Sequence, residues 1–317
     1  MCANPISTVD SMTFAGEVQM DTLHMLLPRT LINVVHDTVI KTDTIVKTNI
    51  VYVKDTIYIN KCGSMVLGRL SVSADKYVSF AKGNLQYQAS SKTWRFAKNQ
   101  YDYIGSDNSN ISDTYSGWID LFGWGTGNHP TDISTNNSDY QTFVDWGTNA
   151  NGTDIPNTWR TLSADEWLHI IYTRSNADKL FGFGTINGVA GMILLPDGWI
   201  TPNDIVFTPA VEKGLRDNKM EDYAWSYGEY HNCFLDNIYS AYDWQEMENA
   251  GAIFLPVAGY RYGREVIMDG IGYYLTSTGD DDNGCAYGMD FRLWIFFAYH
   301  CYSRRCGFPV RLVQDVN

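Results

Sequence analysis

The densest group of residues with chemical potential lies between Phe291 and Cys306. Six of the seven residues from Phe291 to Phe297 are apolar, and Tyr299 and Tyr302 follow them. The run breaks the alternation of a half-buried strand. It is therefore either a fully buried strand, which short apolar runs favour, or an exposed aromatic surface. Exposed aromatic residues flanked by Arg are typical of binding hot spots.

Positive charge accumulates in the same stretch. Arg292, His300, Arg304 and Arg305 occur without any Asp or Glu between Phe291 and Cys306, whereas the whole chain has a net charge of −13. A locally basic, aromatic surface favours an anionic or glycan-bearing target.

Four consecutive polar residues, Asp280 to Asn283, precede this stretch. Their carboxylate and amide oxygens are the hard ligands that calcium prefers. Consecutive side chains point in different directions, however, and a polar turn between strands explains the composition equally well. We expect no cofactor, with calcium as the alternative.

Catalytic patterns are not found elsewhere. The six His residues form no H-x-x-x-H spacing, and no G-x-S-x-G sequence or phosphate-binding loop occurs. Asp165 and Glu166 form a carboxylate pair, but roles at the start of a helix account for both. The chain is therefore not expected to be an enzyme.

Composition excludes several classes of partner. The chain has 317 residues, 44% of them hydrophobic, so it can bury a large core, and its 23 Lys and Arg are too few for a nucleic-acid binder. No apolar stretch approaches the length of a membrane span, and the first thirty residues lack a signal-peptide pattern. Cys2 is either the acylated residue of a trimmed lipoprotein or an ordinary residue. The six Cys show no C-x-x-C spacing and predict mostly free thiols.

The chain divides into three predicted segments. Residues 1–32 are an N-terminal attachment segment without a clear pattern. Residues 33–63 are rich in Val, Ile and Thr and repeat every six residues, starting at Asp37, Asp43, Asn49 and Asp55. An even period returns equivalent side chains to one strand face, which favours either a homotrimeric β-stalk or an extended spacer. Residues 64–317 form a third segment, the predicted ligand-binding domain.

The C-terminal segment predicts an α+β domain with short strands, two helices and long loops. Ser163 to Glu166 reads as a capping box, with Trp167, Ile170 and Ile171 on one face of a helix ending near Arg174. A second helix is predicted from Tyr242 to Asn249, closed by Gly251.

Six stretches of this domain resemble a family of bacterial and phage proteins with the C-type-lectin fold, in the branch shared with formylglycine-generating enzymes. They cover roughly residues 70 to 313 and read VSFAKGNLQY from Val78, LFGWG from Leu121, WRTL from Trp159, LLPDGW from Leu194, FLPVAGYR from Phe254 and GFPVRLV from Gly307. The last of these is similar to the closing stretch of variable proteins diversified by retroelements.

The resemblance implies that adenine mutagenesis rewrites codons between Tyr273 and Cys306. Residues from Phe296 to Cys306 are all reachable from Asn codons, and Lys, Glu, Gln and Met do not occur from Asp290 to Cys306. Trp294 is not reachable that way, so it is either a fixed scaffold position or an observation against diversification. Cys301 and Cys306 resemble the paired cysteines of formylglycine-generating enzymes, but Cys306 directly precedes the closing stretch, which disfavours that oxidase.

The resemblance thus predicts a hypervariable receptor-binding protein, used for adhesion to a cell-surface protein or glycan. It would be extracellular, on a phage virion (tail fibre) or on a bacterial surface; a fibre or pilus subunit is the structural alternative. The predicted ligand-binding residues are Asp281, Asn283, Gly288, Asp290, Arg292, Trp294, Phe296, Phe297, Tyr299, His300, Tyr302, Arg304 and Arg305.

Overall fold

The computed structural model describes residues 64–152, 154–219, 223–228 and 231–316. This part of the chain combines many strands with few helices, which confirms the α+β prediction. The chain divides into two units, Met1–Lys61 and Cys62–Asn317. The predicted attachment segment (1–32), the predicted stalk (33–63) and its trimer lie outside the described residues.

The strands are short apart from three long ones near the C-terminus. In chain order they are β1 Leu70–Ser71, β2 Tyr77–Phe80, β3 Leu85–Gln88, β4 Thr93–Phe96, β5 Phe181–Ile186, β6 Val189–Leu194, β7 Arg216–Lys219, β8 Ala224–Ser226, β9 Ile238–Tyr239, β10 Ile253–Pro256, β11 Tyr260–Tyr262, β12 Glu265–Ile267, β13 Gly272–Asp280, β14 Cys285–Arg292, β15 Ile295–Ser303, β16 Cys306–Gly307 and β17 Val313–Val316.

These strands form small sheets rather than one continuous sheet. Their orders are β1-β2-β17, β10-β6-β5-β9, β12-β11-β16, β13-β14-β15-β8-β7 and β3-β4. Among the described strands only β5 and β9 pair in parallel. The five-stranded sheet contains the long strands and therefore carries the residues predicted to bind ligand.

Helix α1 spans Ala164–Leu168 and begins with the predicted capping box. The Ser163 side chain accepts a hydrogen bond from the Glu166 backbone N–H at 3.2 Å, and the Glu166 carboxylate accepts one from the Ser163 N–H at 2.8 Å. A π-helical turn, His169–Thr173, extends the helix to Arg174, as predicted. Short 3₁₀ turns occur at Gly105–Asn110, Asn137–Tyr140, Trp146–Thr148, Ala177–Lys179, Ala210–Lys213 and Cys233–Leu235.

Helix α2 spans Ala241–Asn249, one residue longer than predicted. Ser240 and Asp243 form a second capping box at its start. Gly251 has φ +100°, a left-handed conformation that residues with a Cβ rarely adopt, so it closes the helix as the sequence predicts.

The main core lies between helix α1 and three of the sheets, β1-β2-β17, β10-β6-β5-β9 and β13-β14-β15-β8-β7. Trp167, Ile170 and Ile171 are buried in it, which confirms the predicted apolar helix face. Phe291 and Phe296 from the five-stranded sheet belong to the same core. In the described part of the chain, no helix has both the length and the apolar character needed to span a membrane.

Candidate functional site

Strands β14 and β15 form the display hairpin, Cys285–Ser303, in the middle of the five-stranded sheet. β14 pairs with β13 on one side, and β15 pairs with β8 on the other. Arg292 pairs with Ile295, so Leu293 and Trp294 form a two-residue turn. The irregular apolar run of the sequence is therefore neither one buried strand nor one exposed patch, because the chain reverses within it.

One face of the hairpin is part of the core. Phe296 lies 6.0 Å, centroid to centroid, from both Phe181 and Phe183. Gly288 is buried as well. A Cβ at this position would lie 2.8 Å from the Tyr274 carbonyl oxygen, so the hairpin has no room for a side chain there. The interpretation of Phe296 and Gly288 as exposed ligand-binding residues is therefore wrong: both positions serve the packing of the hairpin.

A disulfide bond joins the two strands of the hairpin. Cys285 is bonded to Cys301, with their Cα atoms 5.7 Å apart, whereas Cys306 is a free thiol. The prediction of mostly free thiols is wrong for this pair. Cys301 and Cys306 are not bonded to each other, because Cys301 is bonded to Cys285.

Asp290 is the centre of a polar cluster on the other face of the hairpin. Its carboxylate is fully buried. One oxygen accepts hydrogen bonds from Arg292, from Nη2 at 2.6 Å and Nε at 3.2 Å. The other contacts His300 Nδ1 at 3.1 Å and the Tyr302 hydroxyl. Asp290 thus orients two half-buried side chains, Arg292 and Tyr302, and one exposed side chain, His300.

The hydrogen bonds of the cluster favour the ionised form of the Asp290 carboxyl. Burial alone would raise the pKa of the Asp290 carboxyl, but hydrogen bonds from His300, Tyr302 and Arg292 outweigh that effect and lower it. Burial and the Asp290 charge raise the pKa of the Tyr302 hydroxyl. Asp290 is therefore ionised at neutral pH and balances the charge of Arg292.

An aromatic group surrounds this cluster. The ring of His300 lies 5.2 Å from that of Phe297 and 4.8 Å from that of Tyr302. Tyr273 packs edge-on against Tyr302 at 5.7 Å. Tyr273 was not predicted to bind ligand, although its position on β13 opposite Asp290 brings it into the group.

Tyr299 lies in a second aromatic group. Its ring stacks on Tyr287 at 4.1 Å and lies 5.7 Å from Tyr223. All three rings are partly exposed. Sequence analysis missed Tyr287 and Tyr223 because their proximity depends on the register of β14 against β15 and on the position of β8.

Arg304 and Arg305 do not form a free basic surface. Arg304 is buried, donates to the Cys285 carbonyl at 2.8 Å and to Asp281 at 2.7 Å, and stacks over Trp124. Arg305 donates to the Thr135 carbonyl at 2.8 Å. Because Asp281 pairs with Arg304 and Asp290 with Arg292, the prediction of a locally basic face is wrong.

The acidic turn before the hairpin is held by its own hydrogen bonds. Both Asp280 oxygens accept from Asn283, from its backbone N–H at 3.0 Å and its side-chain amide at 2.9 Å. The Tyr287 hydroxyl also donates to Asp280, at 2.7 Å. The bonds from Asn283 and Tyr287 lower the pKa of Asp280 to about 2. These hydrogen bonds are those of a polar turn. Among the described residues, no three Asp, Glu, His or Cys side chains converge as a metal site.

The turn of the hairpin is exposed. Leu293 is 40% and Trp294 48% accessible to solvent. Their carbonyl oxygens accept hydrogen bonds from the Cys233 and Tyr227 backbone N–H groups, at 2.9 and 3.0 Å. The backbone of the turn is therefore fixed while its two large apolar side chains face solvent.

Two arginines of the stretches FLPVAGYR and GFPVRLV, Arg261 and Arg311, have structural roles. Arg261 is fully buried and donates to the carbonyl oxygens of Leu121, Gly263 and Asp132. Arg311 is also buried and binds Asn84 and the carbonyl oxygen of Phe254, at 3.0 and 2.8 Å. Arg261 and Arg311 therefore hold separate segments of the domain together.

A cleft of about 770 Å³ lies beside the stretch LLPDGW, with Tyr77, His169, Asp197 and Trp199 among its lining residues. Asp197 accepts from the Ser71 backbone N–H at 2.8 Å and from Arg174 at 3.1 Å. Both carboxylate oxygens thus connect segments of the fold, which gives Asp197 a structural role.

The predicted residues therefore divide into three groups. The buried ones are Gly288, Asp290, Phe296 and Arg304; the half-buried ones are Arg292, Phe297, Tyr299, Tyr302 and Arg305; the exposed ones are Asp281, Asn283, Trp294 and His300.

Comparison of the chain with protein-family models, with curated proteins and with solved structures finds no match.

Proposed function

We propose that this chain is a hypervariable ligand-binding protein whose display hairpin presents diversified side chains to a cell-surface protein or glycan. The observation that supports the proposal is that one face of the hairpin is buried and the other reaches solvent. Phe291 and Phe296 anchor it in the core, while Arg292, Phe297 and His300 reach solvent on the opposite face.

A surface of this kind tolerates substitution. Exposed side chains contribute little to folding, so they can change without loss of the scaffold. Aromatic residues and Arg also supply large contact areas for a small loss of side-chain entropy, as in antibody paratopes. The cross-strand disulfide and the hydrogen bonds of Asp290 keep the presenting strands in place, which reduces the ordering cost of binding.

We further propose that the domain has a C-type-lectin-like architecture and acts outside the cell, on a virion or a bacterial surface. The short, mostly antiparallel strands, two helices and long loops agree with that architecture. The disulfide agrees with an oxidising compartment.

Sequencing this locus in sibling isolates tests the proposal. We expect substitutions at Arg292, Phe297, Tyr299 and His300, concentrated at codons derived from adenine. Four buried positions of the same hairpin are the matched control and should be invariant: Met289, Phe291, Phe296 and Ala298.

Two outcomes would contradict the proposal. Substitutions spread evenly over exposed and buried positions would indicate ordinary drift rather than directed diversification. Invariance of the four exposed positions among isolates that differ elsewhere would indicate a fixed ligand or a purely structural role.

A further inference from the structure

The cleft beside the stretch LLPDGW has the size of a small-molecule site. Its volume of about 770 Å³ lies within the range of about 300–1,000 Å³ that is usual for such sites. The lining residues come from three parts of the chain, within 71–77, 169–180 and 197–199. None of them belongs to the segment from Tyr273 to Cys306, so the cleft is separate from the surface proposed to be diversified.

One ion pair holds the three parts of the lining together. Arg174 Nη1 donates to Asp197 at 3.1 Å and to the Leu195 carbonyl at 2.9 Å, and Nη2 donates to the Leu180 carbonyl at 3.2 Å. The other Asp197 oxygen accepts from the Ser71 backbone N–H at 2.8 Å. Because the Arg174 side chain is fully buried, the cleft is preformed and little free energy is lost in ordering it around a ligand.

Two half-buried aromatic side chains, Tyr77 and Trp199, line the cleft. The Arg69 guanidinium lies 4.5 Å from the centroid of the Tyr77 ring. Trp199 Nε1 donates to the Thr201 hydroxyl at 3.0 Å. Both rings are thus held by residues outside the lining, and they supply apolar surface against which a planar ring can pack.

The lining carries one uncompensated positive charge, that of Lys179. The charges of Arg174 and Asp197 neutralise each other. Burial lowers the pKa of the His169 imidazole, which is therefore uncharged at neutral pH. Lys179 is exposed and forms no ion pair with any residue that the structure describes.

Charged residues next to the lining do not alter this balance. Asp75, Lys76 and Asp178 adjoin lining residues in sequence, and Arg69 contacts Tyr77. These two acids and two bases cancel, so the cleft is positive on a chain whose net charge is −13. A ligand with a single negative charge complements the cleft, whereas a nucleotide or another polyanion would leave charge unmatched.

Polar groups of the lining are free to bind substituents of a ligand. His169 Nδ1 contacts the Thr173 hydroxyl at 2.8 Å, which leaves Nε2 without a partner. Within the described ranges of the chain, the Tyr77 hydroxyl has no hydrogen-bond partner either. Both groups can donate or accept a hydrogen bond at the edge of a bound ring.

We propose that the cleft binds a small aromatic carboxylate, whose ring packs beside Tyr77 and Trp199 and whose carboxylate pairs with Lys179. The size of the cleft, its two fixed rings and its single unpaired charge together define this class of ligand. The inference holds whether or not the hairpin is diversified, because the two surfaces share no residue.

Ligand-observed NMR titration of the full chain with three probes of one ring type tests the proposal. Phenylacetate is anionic at neutral pH, phenylacetamide is neutral and phenethylamine is cationic. We expect phenylacetate to bind about fivefold more tightly than phenylacetamide, the upper value for an ion pair that solvent reaches. Phenethylamine should not bind, and acetate, which has the charge without the ring, should bind much more weakly than phenylacetate.

Lys179→Gln should lower the affinity for phenylacetate to that for phenylacetamide and leave the affinity for the amide unchanged. Lys213→Gln, at an exposed position outside the cleft, is the matched control and should bind every probe as the wild type does. Circular dichroism should show both variants folded.

Four outcomes would overturn the proposal. Phenylacetate could fail to bind the wild type, or bind it no more tightly than phenylacetamide. Acetate could bind as tightly as phenylacetate, which would indicate an unspecific anion contact. Lys179→Gln could retain the affinity of the wild type for phenylacetate, which would place the carboxylate elsewhere.

Discussion

Asp290 shows at the scale of one residue how a buried charge can organise a surface. Its oxygens accept hydrogen bonds from Arg292, His300 and Tyr302, so the orientation of those side chains depends on a group that a ligand does not reach. The sequence placed Asp290 among the ligand-binding residues. The structure makes it a positioning residue beneath them.

Asp290→Asn is expected to lower the free energy of unfolding by about 1–3 kcal/mol, because the new amide faces hydrogen-bond donors and Arg292 loses its counter-charge. Urea unfolding followed by fluorescence measures the change. Asp282→Asn, on the exposed turn, is the control and should stay within about 0.5 kcal/mol of the wild type. Equal effects of the two variants would contradict the role assigned to Asp290.

The same residue predicts a dependence on pH. The pKa of Asp290 is lowered in the folded state, so its contribution to stability is present above the unfolded pKa of about 3.9. That contribution is lost as the pH falls further, through the folded pKa. The stability difference between wild type and Asp290→Asn should therefore shrink as the pH falls below about pH 4. Unfolding curves across this range measure the stability difference. A difference that grows on acidification would contradict the predicted pH dependence.

At the scale of elements, the display hairpin is stabilised by a covalent bond that sequence analysis did not predict. Cys285 and Cys301 are 16 residues apart and become neighbours only through the register of β14 and β15. The spacing of the two cysteines along the chain does not indicate that register. For this reason the scattered cysteines predict free thiols.

Removing this bond should destabilise the domain. The double variant C285S/C301S is expected to lose about 3 kcal/mol, the chain-entropy value for a loop of this length. Cys306→Ser, which alters a free thiol, is the control and should change stability much less. Thermal unfolding with and without reductant measures both, and reductant should affect only proteins that retain the bond.

The sequence predicted the two helices better than it predicted the hairpin turn. Both helices begin at capping boxes and were located within one residue at their starts, because capping depends on side chains close in sequence. The hairpin turn was missed because Leu293 and Trp294 are not turn-forming residues. Composition alone identified the stretch from Phe291 to Cys306 as the candidate site. It could not distinguish the buried side chains of that stretch from the exposed ones.

On the scale of the whole molecule, Arg311 connects distant parts of the core. It donates to the carbonyl oxygens of Ala81, Gln100 and Phe254 and to the side chain of Asn84. Burial lowers the pKa of its guanidinium to about 10, which leaves it charged at neutral pH. The sequence assigns no role to Arg311, because its contacts join segments that only the fold brings together.

Arg311→Lys should therefore destabilise the domain by about 3 kcal/mol or more, because one ammonium group cannot reach all of these acceptors. Arg216→Lys, at an exposed position of β7, is the control and should be nearly neutral. Denaturant unfolding distinguishes the two variants. A small effect at position 311 would mean that the core does not depend on the guanidinium.

The position of Arg311 near the end of the chain has a consequence for the order of folding. It binds Asn84, 227 residues earlier, and the strand that follows it pairs with β2. Contacts between such distant residues slow folding, since a long loop must close before they form. During synthesis the core cannot close until Arg311 and strand β17 have emerged from the ribosome. Until then its aromatic segments are exposed to aggregation, and chaperone supply is expected to govern its yield.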